Sequence, residues 1–164
     1  MIRKILIILF FKVNPFCFSQ EYSVEILGIS IAEIRQTLKT DSVIYRIKTD
    51  GLIDLFYPLE NTYYSIFDPK DYGIIRFGKE IDEKDLKMKR SAIKDSLNFF
   101  KYNSSETVKL NTDTKNIFTL LSMVQNLSYL EVDTRWFDFE HETQAGRARF
   151  LWADSSNVWN GIDS

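Results

Sequence analysis

Polar and apolar residues alternate with a period of two through most of the first hundred positions. In segment 42–50, Val43, Tyr45 and Ile47 fall on one side, while most of the charged residues fall on the other. Successive side chains of a β-strand point to opposite faces, so this spacing predicts a strand with one buried and one wet face. The pattern therefore predicts a protein built mainly from strands.

Further strands are predicted wherever the alternation resumes, at 22–27, 62–68, 74–81, 86–93, 97–102, 135–142 and 147–152. The phase of the alternation slips at Gly28, which predicts a β-bulge or a sharp bend there. Polar residues at 39–42 and the sequence Asp-Pro-Lys-Asp at 68–71 have the composition of tight turns. Short turns favour antiparallel pairing, and the last two strands are expected to form a closing hairpin that turns at 143–146.

Segment 51–60 breaks the alternation. Leu52, Leu55 and Phe56 lie about one helical turn apart, and Pro58 then stops any helix. We therefore expect a short helical turn that places apolar groups over one end of the sheet.

One longer helix is predicted at 114–125, with Thr112 or Thr114 as its N-cap. The prediction depends on apolar residues that recur at three- and four-residue intervals, as a buried helical stripe requires: Ile117, Leu120, Leu121 and Val124. The predicted fold class is thus mainly β, a curved antiparallel sheet or half-barrel with one helix near residues 114–125 packed against it.

The N-terminal nineteen residues have the order of a secretory signal peptide. Arg3 and Lys4 precede an unbroken apolar run at 5–11, and the small residues Cys17 and Ser19 follow. This order predicts cleavage after Ser19, and hence export to the periplasm or to the periphery of the outer membrane. The apolar run is shorter than the roughly 20 residues that a membrane-spanning helix needs. The alternative, a buried core helix, would have to accommodate a helix-breaking proline.

Cleavage at that point would change the charge and chemistry of the remaining domain, residues 20–164. It would leave 18 of the 21 Lys and Arg residues against 23 Asp and Glu, and a formal charge of −5 in place of −2. An acidic chain argues against nucleic-acid binding, which uses a basic surface. Loss of Cys17, the only cysteine, would exclude disulfides and thiol chemistry. A single β-rich domain without a transmembrane span is expected.

Three segments together resemble the domain-of-unknown-function 3108 family. They are LGISIAE at 27–33, GLIDLFYPLEN at 51–61, and the Tyr64-Ser65 pair followed by Asp68. The resemblance implies an exported bacterial envelope protein of uncharacterised function, and it supplies no catalytic residues. Members of that family usually continue for several more strands, so the resemblance also implies that the domain is shortened at its C-terminus.

His141 is the only histidine and therefore the only candidate for an imidazole base. A hydrolase would need a nucleophile and an orienting carboxylate beside it. A metal site with Asp138, Glu140 or Glu142 is disfavoured, because neighbours along a strand point to opposite faces and zinc prefers further nitrogen or sulfur ligands. No catalytic residue, metal or cofactor is predicted.

Aromatic residues concentrate in the later strands and are the one feature with a functional implication. Most are expected in the core, but a curved sheet with a helix over it could also hold an acyl chain or a partner. The predicted surface for an apolar ligand or partner comprises Phe99, Phe100, Trp136, Phe137, Phe139, Phe150 and Trp152.

Three functional classes follow from these observations. The first is non-catalytic binding of an apolar ligand, such as a lipid, or of an envelope protein. The second is a structural accessory subunit of an outer-membrane assembly. The third is a hydrolase that uses His141.

Overall fold

The structure is a computed structural model and describes residues 17–150. Its main feature is an eight-stranded antiparallel sheet in which each strand pairs with the next along the chain. The strands are β1 (Phe18–Ile26), β2 (Ile29–Leu38), β3 (Ser42–Thr49), β4 (Glu60–Phe67), β5 (Ile74–Glu83), β6 (Leu86–Lys94), β7 (Phe99–Tyr102) and β8 (Thr107–Lys109). The sheet is open, with β1 and β8 as its edges, and the predicted mainly β fold class is confirmed.

The remaining elements lie outside this sheet. They are the helices α1 (Gly51–Phe56), α2 (Ile117–Asn126) and α3 (Tyr129–Val132), and a separate two-stranded sheet of β9 (Trp136–His141) and β10 (Gln144–Arg149). The β9–β10 hairpin is attached to the segment before α2, because the Lys115 amide donates to the Asp138 carbonyl and the Glu140 amide donates to the Lys115 carbonyl.

Period-two alternation gives the large sheet two chemically different faces. The register aligns Tyr45 with Tyr63, Tyr63 with Lys79 and Lys79 with Arg90, so these four residues form one cross-strand row. We call the face that carries this row the inner face. The opposite face is rich in exposed ion pairs, such as Arg35 with Glu21 and Lys89 with Glu80.

The helix α2 covers part of the inner face. Asn116 is its N-cap and forms a capping box with Thr119, and its side-chain amide also donates to Ser65 Oγ at 2.9 Å. The Phe118 ring lies 5.2 Å from the rings of both Tyr45 and Tyr63. The predicted helix is therefore present, but its cap is Asn116 instead of Thr112 or Thr114.

The turns confirm one prediction and correct another. Leu27 and Gly28 both have positive φ, 53° and 77°, and form a hairpin turn, so the chain bends sharply at Gly28 as predicted, while an irregular register lies nearby at Val24/Glu25. The closing hairpin turns at Glu142 and Thr143, also at positive φ, earlier than the expected 143–146.

The short helix α1 does not cover the end of the sheet as expected. Its side chains are turned to solvent, with exposed fractions of 70% for Leu52, 76% for Leu55 and 73% for Phe56. Asp50 caps the helix by accepting from the Gly51 amide. The predicted helical turn is therefore present, but its apolar side chains Leu52, Leu55 and Phe56 stay largely exposed.

Candidate functional site

A cavity of about 380 Å³ opens where the inner face meets the start of α2 and the end of β9. We call it the Tyr102 cavity. Its apolar wall consists of Ile47, Tyr63 and Phe77 from the sheet and Ile117 and Phe118 from the helix. Its charged residues are Lys79, Arg90, Glu140 and Glu142, and His141 lies beside them. The volume lies within the range of about 300–1,000 Å³ typical of small-molecule sites.

The strand register determines this mixture of residues. Phe77 pairs with Ala92, and Ala92 pairs with Tyr102. The two aromatic side chains therefore lie in one cross-strand row, on either side of the small alanine. The neighbouring row carries Lys79 and Arg90, which occupy inward positions between apolar neighbours. Two charged side chains on the inner face therefore lie next to aromatic rings.

A buried hydrogen-bond network forms one side of the cavity. The Tyr102 hydroxyl donates to Glu140, whose exposed fraction is only 2%. The Thr143 amide donates to Glu140 Oε1 at 2.9 Å and also lies 3.1 Å from the Tyr102 oxygen. Burial, followed by the hydrogen bond to Glu140, raises the pKa of Tyr102 above its ordinary value. The phenol is thus held as a neutral donor.

Arg90 connects this network to the sheet. Its guanidinium lies over the Tyr102 ring, 4.9 Å from the ring centroid, and its Nη2 pairs with Glu106. Its Nε atom is buried and has no hydrogen-bond partner among the described residues. Buried donors are almost always paired in native proteins, so this atom is an exception that calls for an explanation.

Lys79 and Glu142 form an ion pair across the cavity. The hydrogen bond from Lys79 lowers the pKa of Glu142 below its ordinary value. The same contact joins β5 of the large sheet to the turn of the β9–β10 hairpin. The ion pair therefore helps to fix the hairpin beside the inner face.

His141 lies at the edge of this cavity. In the described part of the chain it stacks on Phe139, with 6.4 Å between ring centroids, and forms no hydrogen bond to a Ser or Thr hydroxyl. That hydrogen bond is the contact a Ser–His hydrolase requires. The arrangement gives the hydrolase hypothesis no geometric support.

The seven predicted surface residues do not form one surface. Phe137 is buried beside α2, with Phe139 and Phe150 packed against the same cluster. Phe100, in β7, is buried in a different cluster with Ile74 and Leu110. Its neighbour Phe99 lies on the opposite face of the sheet beside Lys109. Trp136 is 48% exposed beside two arginines. Trp152 lies outside the described residues, and a binding role for these positions stays a prediction.

Sequence reasoning named His141, Glu140 and Glu142 as candidates but did not predict the Tyr102 cavity, and it missed Lys79 and Arg90. A signal was present in the alternation of β5 and β6, where Lys79 stands between Phe77 and Ile81, and Arg90 between Met88 and Ala92. A charged residue at an inward position of an apolar face indicates either a buried pair or a binding site.

A second, larger cavity of about 660 Å³ lies at the other end of α2. Its apolar residues are Phe18, Leu38, Phe67, Pro69 and Tyr72. Its polar edge includes Gln125, which bonds to the buried Gln36, and Gln36 in turn donates to the Tyr45 hydroxyl at 2.9 Å. The charged residues that distinguish the Tyr102 cavity are replaced here by neutral amides and Lys39.

Within residues 17–150, no helix is long and apolar enough to cross a membrane. The same residues contain no group of three or more His, Cys, Asp or Glu side chains placed to hold a metal ion. Comparison with protein-family models, curated proteins and solved structures finds no match to this chain. The resemblance to the domain-of-unknown-function 3108 family therefore gains no support from these comparisons and stays a prediction.

Proposed function

We propose that the protein is an exported, non-catalytic protein of the bacterial envelope that binds an apolar ligand in the Tyr102 cavity. The observation that carries the proposal is the cavity itself, in which Phe77, Phe118 and Ile117 form an apolar wall beside a few polar groups. Such a combination is typical of small-molecule sites. The signal-like residues 1–19 support the exported location.

The ligand class follows from the shape and chemistry of the wall. Aromatic and aliphatic side chains meet there without a nucleophile–base pair, which favours retention of a ligand over its conversion. Burial of an acyl chain contributes about 0.8 kcal/mol per methylene group, so a short segment of chain inside the cavity would give measurable affinity. A lipid or fatty-acyl compound is the expected ligand.

The direct test is native mass spectrometry of the protein recovered from the envelope, combined with solvent extraction. We expect a bound acyl compound in the wild type and its loss in Ile117→Asp. The matched control is Leu121→Asp, one turn later on α2. Both side chains are partly exposed, 46% and 39%, but only Ile117 lines the cavity. Equal ligand content in the two variants, or none in the wild type even after acyl compounds are added, would refute the proposal.

A second candidate function is binding of an envelope protein partner, and a different surface favours it. The start of β2 lies beside the start of α1, because the amide of Asp50, the residue before α1, donates to the Ile31 carbonyl. This contact brings the apolar side chains of the β1–β2 turn near those of α1. We call this surface the apolar tip: Ile26, Leu27, Ile29, Leu52, Leu55 and Phe56, which are 57–98% exposed. Exposed apolar side chains gathered in one region of a surface often mark interaction sites. This surface suits an accessory subunit of an outer-membrane assembly.

Site-specific photo-crosslinking in intact cells tests this second function. A crosslinker at Leu27, which is 98% exposed, should give one defined protein adduct. A crosslinker at Arg35, on the charged face of β2, serves as the control and should give none. The absence of an adduct at Leu27, or the same adducts at both positions, would argue against a partner at the apolar tip.

A further inference from the structure

We infer that the protein forms a symmetric dimer in which β1 pairs antiparallel with β1 of a second copy, with Tyr22 on the twofold axis. The two large sheets then join into one continuous sheet across the seam between the copies. This inference goes beyond the proposed function, because it concerns the open edge of the sheet and does not depend on the Tyr102 cavity.

The two edges of the large sheet differ in length and in protection. The edge strand β8 has only three residues, whereas β1 has nine. Native proteins usually protect an edge strand by shortening it, by placing Lys or Pro on it, or by a β-bulge. The strand β1 contains no Lys or Pro, and the extra residue at its irregular register, Ile31, belongs to β2. Among the described residues the backbone of β1 bonds only to β2, so the N–H and C=O groups on its outer side are open to a further strand.

The length of β1 selects the register of such a pair. Tyr22 is its central residue, so a twofold axis there pairs the whole strand, from Phe18 opposite Ile26 to Tyr22 opposite Tyr22. These three side chains and Val24 lie on the inner-face side of β1, and they are 36–57% exposed. Cross-strand pairs of aromatic and apolar side chains stabilise a sheet, so the added strand would cover surface that α2 leaves open. The central pairs, from Gln20 to Val24, lie within the part of the chain that the predicted cleavage retains.

The charges of β1 favour the same register. Its charged residues are Glu21 and Glu25, both on the face opposite to Tyr22. With Tyr22 on the axis, Glu21 lies opposite Ser23, and Glu25 lies opposite Ser19. An axis at Glu21 would place that acid opposite its own copy, and an axis at Ser23 would place Glu21 opposite Glu25. Like charges directly opposite each other destabilise a sheet. The register that pairs the whole strand therefore also separates the acids, which favours a second copy of this chain over an unrelated strand.

Light scattering over a range of concentrations measures the mass of the protein recovered from the envelope, as wild type, Tyr22→Lys and Ser23→Lys. Tyr22→Lys would place two cations opposite each other on the axis, so the dissociation constant of the dimer should rise about tenfold or more. Ser23→Lys is the matched control, because it adds the same side chain one position later. There the lysine would lie opposite Glu33 in its own chain and opposite Glu21 of the second copy, so the dimer should persist or tighten. Circular dichroism checks that both variants keep their strands.

Disulfide trapping tests the register itself. The only cysteine, Cys17, is first replaced by Ser, and either Tyr22→Cys or Glu25→Cys is then added. Residues directly opposite each other in an antiparallel pair have Cα atoms about 4.5–5.5 Å apart, within reach of a disulfide. Tyr22→Cys should therefore form a covalent dimer on oxidation. Glu25→Cys is the control and should form none, because Glu25 lies opposite Ser19, far along the strand from its own copy.

Several outcomes would overturn the inference and leave the proposed function standing. The first is a mass of one chain at every concentration of the wild type. The second is equal weakening by the two lysine substitutions, and the third is trapping of Glu25→Cys as strong as that of Tyr22→Cys. A complex of fixed stoichiometry with a different protein, lost in Tyr22→Lys, would assign the edge to that protein instead. The wild-type mass and the trapping remain decisive even if Tyr22→Lys does not fold.

Discussion

Phe99 and Phe100 are adjacent in β7, and truncation to alanine should affect them very differently. Phe100 points to the inner face, has no exposed surface and packs against Ile74 and Leu110. Its ring stacks on Phe77 with 5.9 Å between centroids. Phe99 points to the other face of the sheet and is only partly buried beside an exposed lysine.

The expected magnitudes follow from these environments. Removal of a fully buried phenylalanine ring leaves a cavity and costs about 3–5 kcal/mol in the free energy of unfolding. Phe100→Ala should fall in that range, because the ring is fully buried among core side chains. Phe99→Ala loses a cross-strand contact with Lys109 and should cost about 1 kcal/mol or less. The difference between the two variants should exceed about 2 kcal/mol.

Urea unfolding of the two variants and the wild type measures that difference. With a slope of about 1–3 kcal/mol per molar urea, Phe100→Ala should unfold at a midpoint lower by about 1 M or more, and Phe99→Ala should stay close to the wild type. Equal midpoints for the variants, or a larger loss at Phe99, would show that the inner face is assigned to the wrong side of the sheet.

Three further predictions concern a close approach, a helix cap and an ion pair. Gly73→Ala should lower the free energy of unfolding by about 1–3 kcal/mol, because the new Cβ would lie 2.8 Å from the Thr112 carbonyl oxygen. Gly146→Ala is the control, since its Cβ would meet nothing within 4 Å. It should be neutral or slightly stabilising in the same urea experiment. Asn116→Ala removes the N-cap of α2 and should lower the free energy of unfolding by about 0.5–2 kcal/mol. Thermal denaturation measures the change, and an unchanged melting temperature would contradict the capping role. The Lys79 contact lowers the pKa of Glu142, so its stabilising contribution is present above the unfolded-state pKa and is lost as pH falls through the folded-state pKa. The stability difference between wild type and Lys79→Met should therefore be constant near neutral pH and shrink on acidification, and a difference independent of pH would refute the assignment.

The strands were predictable because a half-buried sheet requires alternation, and β3 to β6 keep that alternation apart from one irregular register at Ile66/Phe67. The turns at Leu27 and at Glu142-Thr143 were not predictable in detail. Neither leucine, glutamate nor threonine favours positive φ, so tertiary context determines these turns. The cap at Asn116 was missed because two threonines nearby have equally suitable side chains.

The candidate site was less predictable than the fold. The concentration of aromatic residues in the later strands is visible in the sequence, but their distribution among separate clusters depends on strand order, which local patterns do not contain. Lys79 and Arg90 come together because β5 and β6 pair in one particular register. The Nε atom of Arg90 is buried and has no hydrogen-bond partner among the described residues because of that packing. No spacing in the sequence indicates this.

The most direct test of the account is nuclear magnetic resonance of the methyl groups in the presence of a spin-labelled acyl ester. Binding in the Tyr102 cavity predicts strong broadening of the Ile47 and Ile117 methyl signals, both of which line it. The methyl groups of Leu38, in the second cavity, and of Leu55, on the apolar tip, should stay sharp. Broadening confined to Leu38 or Leu55, or none at any methyl group, would contradict the central claim that this cavity binds the ligand.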